Sequence, residues 1–130
     1  MNTNFGCGKP VDLTFNAAID KVTDVLQTEG FGVLSDIDVA AKMKEKLGED
    51  MPPYRILGAC NPPLANQAIS AVAEIGLLLP CNVLVREDDT GQVHVSFMDP
   101  EAVMSLVGDA GVEPLAAEVK GRLEKVMAAL

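Results

Sequence analysis

The sequence predicts an α+β domain: a single small sheet of about four to five strands, mostly antiparallel, packed against two long helices, the first and the last, with shorter helices between the strands. Three observations predict it. Apolar residues recur at helical spacing near both ends, over residues 15–29 and 114–129. Between those segments lie short runs of strand character bounded by glycine, proline or aspartate. The 130 residues, 48% of them hydrophobic, contain no linker, repeat or low-complexity tract, so residues 1–130 read as one domain with one core.

Each element has its own justification. A short strand is expected around Gly6 to Leu13, with Pro10 marking an edge or irregularity. Thr14 suits the N-cap of the first long helix, whose inner face is Phe15, Ala18, Ile19, Val22, Val25 and Leu26, and Gly30 ends it. Phe31, Val33, Ser35 and Ile37 alternate as a strand. Asp38 then caps a short helix with Val39, Met43 and Leu47 on one side and Gly48 as its stop. Residues 54–60 form the next strand, and Asn61 with Pro62 starts a helix over residues 62–73. The apolar loop from Gly76 to Pro80 must be buried or belong to an interface.

The clearest hairpin pairs residues 81–88 with 92–98 across Asp89-Thr90-Gly91, glycine taking the left-handed position. Its register sets Val85 against Val95, Val83 against Phe97 and Cys81 against Asp99, with Arg86 beside His94 on the other face. Asp99-Pro100-Glu101 starts another short helix, and residues 108–111 break the chain. Leu115, Val119, Leu123, Val126 and Met127 give the last helix its inner face.

Composition excludes several functions. Nineteen acidic residues against ten basic give a net charge of −9, with no basic cluster to offset it, so neither nucleic acid nor an anionic membrane is an expected partner. No run spans a bilayer, and the first residues lack the basic and apolar stretches of a signal peptide, which points to a cytoplasmic protein. Three cysteines make no disulfide framework, and with His94 the only histidine a closed zinc site would need carboxylates, so no metal is assigned. No phosphate-binding glycine loop is present, a single histidine supports no Ser/His/Asp set, and no spacing selects a catalytic carboxylate pair, so catalytic residues and any cofactor stay unassigned.

The chemically pointed features are two Cys-Asn pairs beside proline. Cys60-Asn61-Pro62-Pro63 ends a strand and opens a helix, and Pro80-Cys81-Asn82 opens another strand. A helix N-terminus lowers a thiol's pKa, but Pro62 and Pro63 lack N–H groups, so activation of Cys60 is expected to be modest. Asp99 beside Cys81 would raise that thiol's pKa. The candidate ligand or redox residues are therefore Cys60, Asn61, Cys81, Asn82 and Asp99. A binding or redox module predicts a concave site at the strand ends with an accessible sulfur, closed by Leu77 to Pro80. An interaction protein, most simply a homodimer, predicts exposed apolar surface around Leu77-Leu78-Leu79, with both cysteines serving only as core. A cysteine-dependent enzyme requires a base within about 3 Å of the Cys60 sulfur.

The runs Tyr54-Arg55-Ile56-Leu57-Gly58-Ala59-Cys60-Asn61-Pro62 and Ile75-Gly76-Leu77-Leu78-Leu79-Pro80-Cys81-Asn82-Val83 resemble the signature of the family known as domain of unknown function 302. Glu29-Gly30-Phe31-Gly32-Val33-Leu34 and Asp99-Pro100 fit as well, and the resemblance runs from about residue 14 to the C-terminus. It implies a compact fold of TATA-binding-protein-like topology and a dimer, without DNA binding and without any established activity to carry over. Gly6-Cys7-Gly8-Lys9-Pro10 departs from the family's first strand, so Cys7 inherits no role.

Overall fold

The hairpin forms as its turn chemistry dictates. In the computed structural model, which describes residues 2–130, β4 (Cys81–Glu87) and β5 (Val93–Met98) pair Val83 with Phe97, Val85 with Val95 and Arg86 with His94. Gly91 takes φ +85°, and Asp88 accepts from the amides of Thr90 and Gln92 and from the Thr90 hydroxyl, fixing the loop.

Three further strands extend this hairpin into one five-stranded antiparallel sheet. β1 (Gly6–Val11) lies outside β5, while β3 (Tyr54–Cys60) and then β2 (Gly32–Asp38) lie outside β4, giving the order β1-β5-β4-β3-β2. Pro10, with no N–H to offer a second neighbour, sits in an edge strand.

One face of the sheet carries the core. Leu57, Ala59, Val83, Val85, Val93, Val95 and Phe97 are buried there against Ala18, Val22 and Leu26 of α1 (Phe15–Thr28) and Leu123 and Val126 of α5 (Glu113–Ala128). These are the two long helices that the apolar spacing predicts, packed side by side. Thr14 caps α1 by accepting from Ala17 N, and Gly30 at φ +82° ends it. At the far end Lys9 Nζ donates to the Leu130 carbonyl, 2.9 Å away, tying the first strand to the last helix.

Two segments depart from the expected pattern. A bulge between Val33 and Ser35 interrupts the alternation of β2 and leaves Leu34 68% exposed. The apolar loop before β4 is largely a 3₁₀ helix, Ala73–Leu78: it buries Ile75, half-buries Leu78 and leaves Leu77 83% exposed. A cis Leu79–Pro80 peptide then leads into β4. Three short helices complete the fold: α2 (Val39–Leu47), α3 (Pro62–Ala71) and α4 (Pro100–Met104). Asp38 caps α2, and Asp99 caps α4 by accepting from Glu101 N and Ala102 N. No helix of the described residues is long and apolar enough to cross a membrane.

Candidate functional site

A second, smaller cluster forms where α3, the 3₁₀ helix, α4 and the start of α5 meet. Ala68, Ile75, Met104, Val112 and Ala116 are buried in it. Between this cluster and the end of the sheet lies a pocket of about 320 Å³, with Leu34, Ile69 and Leu115 among its walls. Its origin is a matter of side-chain size. Ala59, Ala65, Ala68, Gly76 and Ala116 all face the space, and such small side chains cannot fill it.

Cys60, Asn61 and Cys81 line this pocket together. Ala59 is the cross-strand partner of Cys81, which places Cys60 one residue further along β3 and brings the two thiols to the same end of the sheet. Of the segment Leu77 to Pro80, Leu79 and Pro80 form part of the wall, whereas Leu77 is exposed to solvent. A concave pocket at this end of the sheet is thus lined by Cys60, a half-buried residue.

The other two candidates are elsewhere. Asn82 alternates to the opposite side of β4 and lines a separate depression with Leu84, Arg86 and Ser96. Asp99 lies near Cys7, where Lys120 Nζ approaches its Oδ2 to 3.2 Å. Burial pushes the Asp99 carboxyl up, but the Lys120 ammonium and the α4 amides outweigh that and hold it below the usual carboxylate range. The hairpin register predicts Asp99 against Cys81, but the pairing of β4 with β5 ends at Val83 and Phe97, and the partners of Asp99 are Lys120 and the amides that it caps.

Both pocket thiols are poor acids. Burial raises the pKa of Cys60. Burial, and then the neighbouring Cys60, push Cys81 up to about 11. The pull of the helix N-terminus on Cys60 is blunted, since Pro62 and Pro63 carry no N–H and Leu64 N is already bound by Asn61 Oδ1 at 3.3 Å. No histidine or carboxylate stands among the pocket's lining residues. Among the described residues no group of three or more histidines, cysteines or acids is placed to hold a metal.

His94 stays on the hairpin, away from both cysteines: its Nε2 lies 2.8 Å from Asp88 Oδ2. The pocket walls from α3, α4 and α5 are what sequence reasoning missed. Their signal was the run of alanines on the inward side of α3, which reads equally well as close helix packing.

The profile of the family described as "Domain of unknown function DUF302" matches residues 8–130. The chain belongs to this family. The match begins after Cys7 and takes in all the pocket residues, so the DUF302 region includes Cys60, Asn61 and Cys81. A solved structure described as "Crystal structure of uncharacterized conserved protein DUF302 from Bacillus stearothermophilus" superposes with a TM-score of 0.88 at 28% identity, covering 96% of this chain and 97% of the other. No curated protein matches this DUF302 chain.

Proposed function

We propose that this protein is a small-molecule-binding module whose ligand occupies the pocket at Cys60, Asn61 and Cys81. The observation that carries the reading is the pocket itself: about 320 Å³ of space walled almost wholly by aliphatic side chains. An apolar ligand entering it would gain roughly 25 cal/mol for each Å² of apolar surface removed from water. The thiols serve as neutral, polarizable wall groups, because burial holds both in the protonated form at neutral pH. That favours binding over cysteine-dependent catalysis, which needs a thiolate and a base.

The test is titration with Nile red, a neutral apolar dye, read by its fluorescence in parent protein and in Ala65→Phe. Ala65 lines the pocket from α3, and a phenyl ring there fills it. Saturable binding by the parent and loss of binding in the variant support the reading. Absence of binding, or equal affinity in both, counts against it.

A second reading, association into a homodimer, is favoured by a different surface. Ile37, Ile56, Leu84 and Ser96 form one cross-strand row on the face turned away from α1. The apolar side of α2, with Met43 and Leu47, has no buried residue within its own chain. Sedimentation equilibrium tests it: a dimer weakened by Ile37→Asp supports the reading, and a monomer at micromolar concentration opposes it.

A further inference from the structure

The sheet face turned away from α1 carries an arginine without a partner. Of the three arginines, Arg55 is forked onto Asp36, and Arg122 Nε binds Glu118 Oε1 at 2.9 Å. The Arg86 side chain has no hydrogen bond or ion pair with any described residue, although the residue is half-buried. The acids next to it in sequence are placed elsewhere. Glu87 alternates to the covered face opposite Val93, and Asp88 accepts from the Thr90 hydroxyl and lies 2.8 Å from His94 Nε2. A half-buried guanidinium, with five N–H donors and no acceptor from its own chain, is poised for an outside one.

Arg86 lines a depression of about 400 Å³ on this face, together with Asn82 and Ser96. Asn82, Leu84 and Arg86 project from the same side of β4, and Ser96 is the cross-strand partner of Leu84. Ser96 is therefore diagonal to both Asn82 and Arg86, within the reach of a long side chain. Neither the Asn82 amide nor the Ser96 hydroxyl has a hydrogen bond with a described residue. Gly8, across from Ser96 on β1, leaves that hydroxyl its room, since a Cβ there would collide with Ser96 Oγ.

Much of the remaining wall is apolar. Leu84, Met98 and Val103 are half-buried residues of it, and Phe5 is 66% exposed. A hook in the first residues holds Phe5 there: Thr3 N donates to the Gly6 carbonyl at 2.9 Å, and Asp99 N donates to the Phe5 carbonyl at 2.8 Å. Among the described residues no aspartate, glutamate or lysine lines the depression, so Arg86 is its single charge. One guanidinium matches one carboxylate through two parallel hydrogen bonds. A phosphate would bring a second negative charge with nothing to meet it, in a chain of net charge −9.

We propose that this depression is a second binding site, independent of the pocket at Cys60, and that it takes a small monocarboxylate with an apolar tail. The Arg86 guanidinium forks onto the carboxylate, with the Asn82 amide and the Ser96 hydroxyl as flanking donors. The tail lies along Leu84, Met98 and Phe5. The homodimer reading uses the same face, so a second copy of the chain is the rival occupant.

The experiment is an NMR titration of the full chain at neutral pH with hexanoate, 1-hexanol, hexylammonium and acetate. Expected is hexanoate binding about tenfold tighter than 1-hexanol, with acetate and hexylammonium weaker still, and shifts centred on the amides of Leu84, Arg86 and Ser96. Arg86→Gln removes the charge and breaks no hydrogen bond or ion pair within the described chain, so the hexanoate advantage disappears while the urea midpoint stays at the parent value. Ser96→Ala should weaken hexanoate about threefold, and it serves if the arginine variant does not fold. Absence of hexanoate binding, equal affinity for hexanoate and 1-hexanol, acetate matching hexanoate, or an advantage that survives Arg86→Gln overturns the assignment. Shifts confined to residues around Cys60 and Ala68 would place the carboxylate in the pocket, overturning the second site and leaving the pocket reading standing. A dimer that Arg86→Gln dissociates, with no hexanoate bound, gives the face to a second copy and overturns the proposal as well.

Discussion

The two ends of the sheet's covered face are built from different side chains. Under α1 and α5, valines, leucines and a phenylalanine interlock, and Val22, Leu26, Val83, Val85 and Val95 are fully buried. Toward α3 and α4 the walls include Ala59, Ala65, Ala68, Ala116 and Gly76, and an open pocket remains. Both regions belong to one chain and share strands β3 and β4. The difference shows that burial of apolar surface and filling of space are separate requirements. The first region satisfies both, and the second satisfies only the first, which is the arrangement a binding site needs.

Deleting a large side chain from each region gives the widest separation. Leu26→Ala, in the filled region, is expected to cost about 2–5 kcal/mol, from lost transfer free energy plus a new cavity. Leu115→Ala, on the half-open pocket wall, should cost less than half of that, since the space beside it is open already. Urea unfolding of both variants measures the difference, and equal losses would erase the distinction between the regions.

Adding volume reverses the sense. Ala18→Leu must force its way among fully packed neighbours and is expected to destabilise by about 1–3 kcal/mol. Ala65→Leu enters the pocket and should leave stability within about 0.5 kcal/mol of the parent. A large loss in Ala65→Leu would mean that the pocket wall is as tightly packed as the main core.

The filled region was legible in the sequence and the open one was not, for a physical reason. Val83, Val85, Val93, Val95 and Phe97 announce their face by period two, and Gly91 fixes the register that brings them opposite one another. The inner faces of α1 and α5 follow equally from their spacing. A pocket has no such period. It arises from residues as far apart as Leu34, Ala68 and Ala116, and small side chains in a helix look the same whether they face a close neighbour or a gap. Cys60, Asn61 and Cys81 were legible as candidates because strand and helix boundaries bracket them. The partner of Asp99 was not, because Lys120 reaches it from a helix whose rotation the sequence does not set. The bulge at Val33–Ser35 was likewise hidden, since the segment alternates cleanly in sequence.

The cysteines sharpen the comparison at the boundary itself. Cys81 is buried at the edge of the filled region and Cys60 is half-buried in the pocket. Iodoacetamide followed by mass spectrometry is expected to label Cys60 before Cys81, and both slowly at neutral pH, because both thiols are raised. Occupancy of the pocket by Nile red should slow Cys60 further. Rapid labelling of Cys60 with a midpoint below about pH 8 would instead identify an activated thiolate and restore the redox reading.

The smallest effect is expected at the hairpin loop, remote from both regions. Asp88 accepts from the Thr90 hydroxyl and from His94, and these bonds, with the Thr90 and Gln92 amides, hold its carboxyl well below the usual carboxylate range. A carboxyl depressed on folding contributes stability above its unfolded pKa of about 3.9, and that contribution is lost as pH falls through the lower folded value. Melting temperature should therefore decline on acidification below about pH 4 more steeply in the parent than in Asp88→Asn, which has no proton to take up there. The loop is exposed, so the difference should be slight, and neither Nile red affinity nor Cys60 labelling should change with it. A variant that altered either one would show that the hairpin loop and the pocket are coupled through β4.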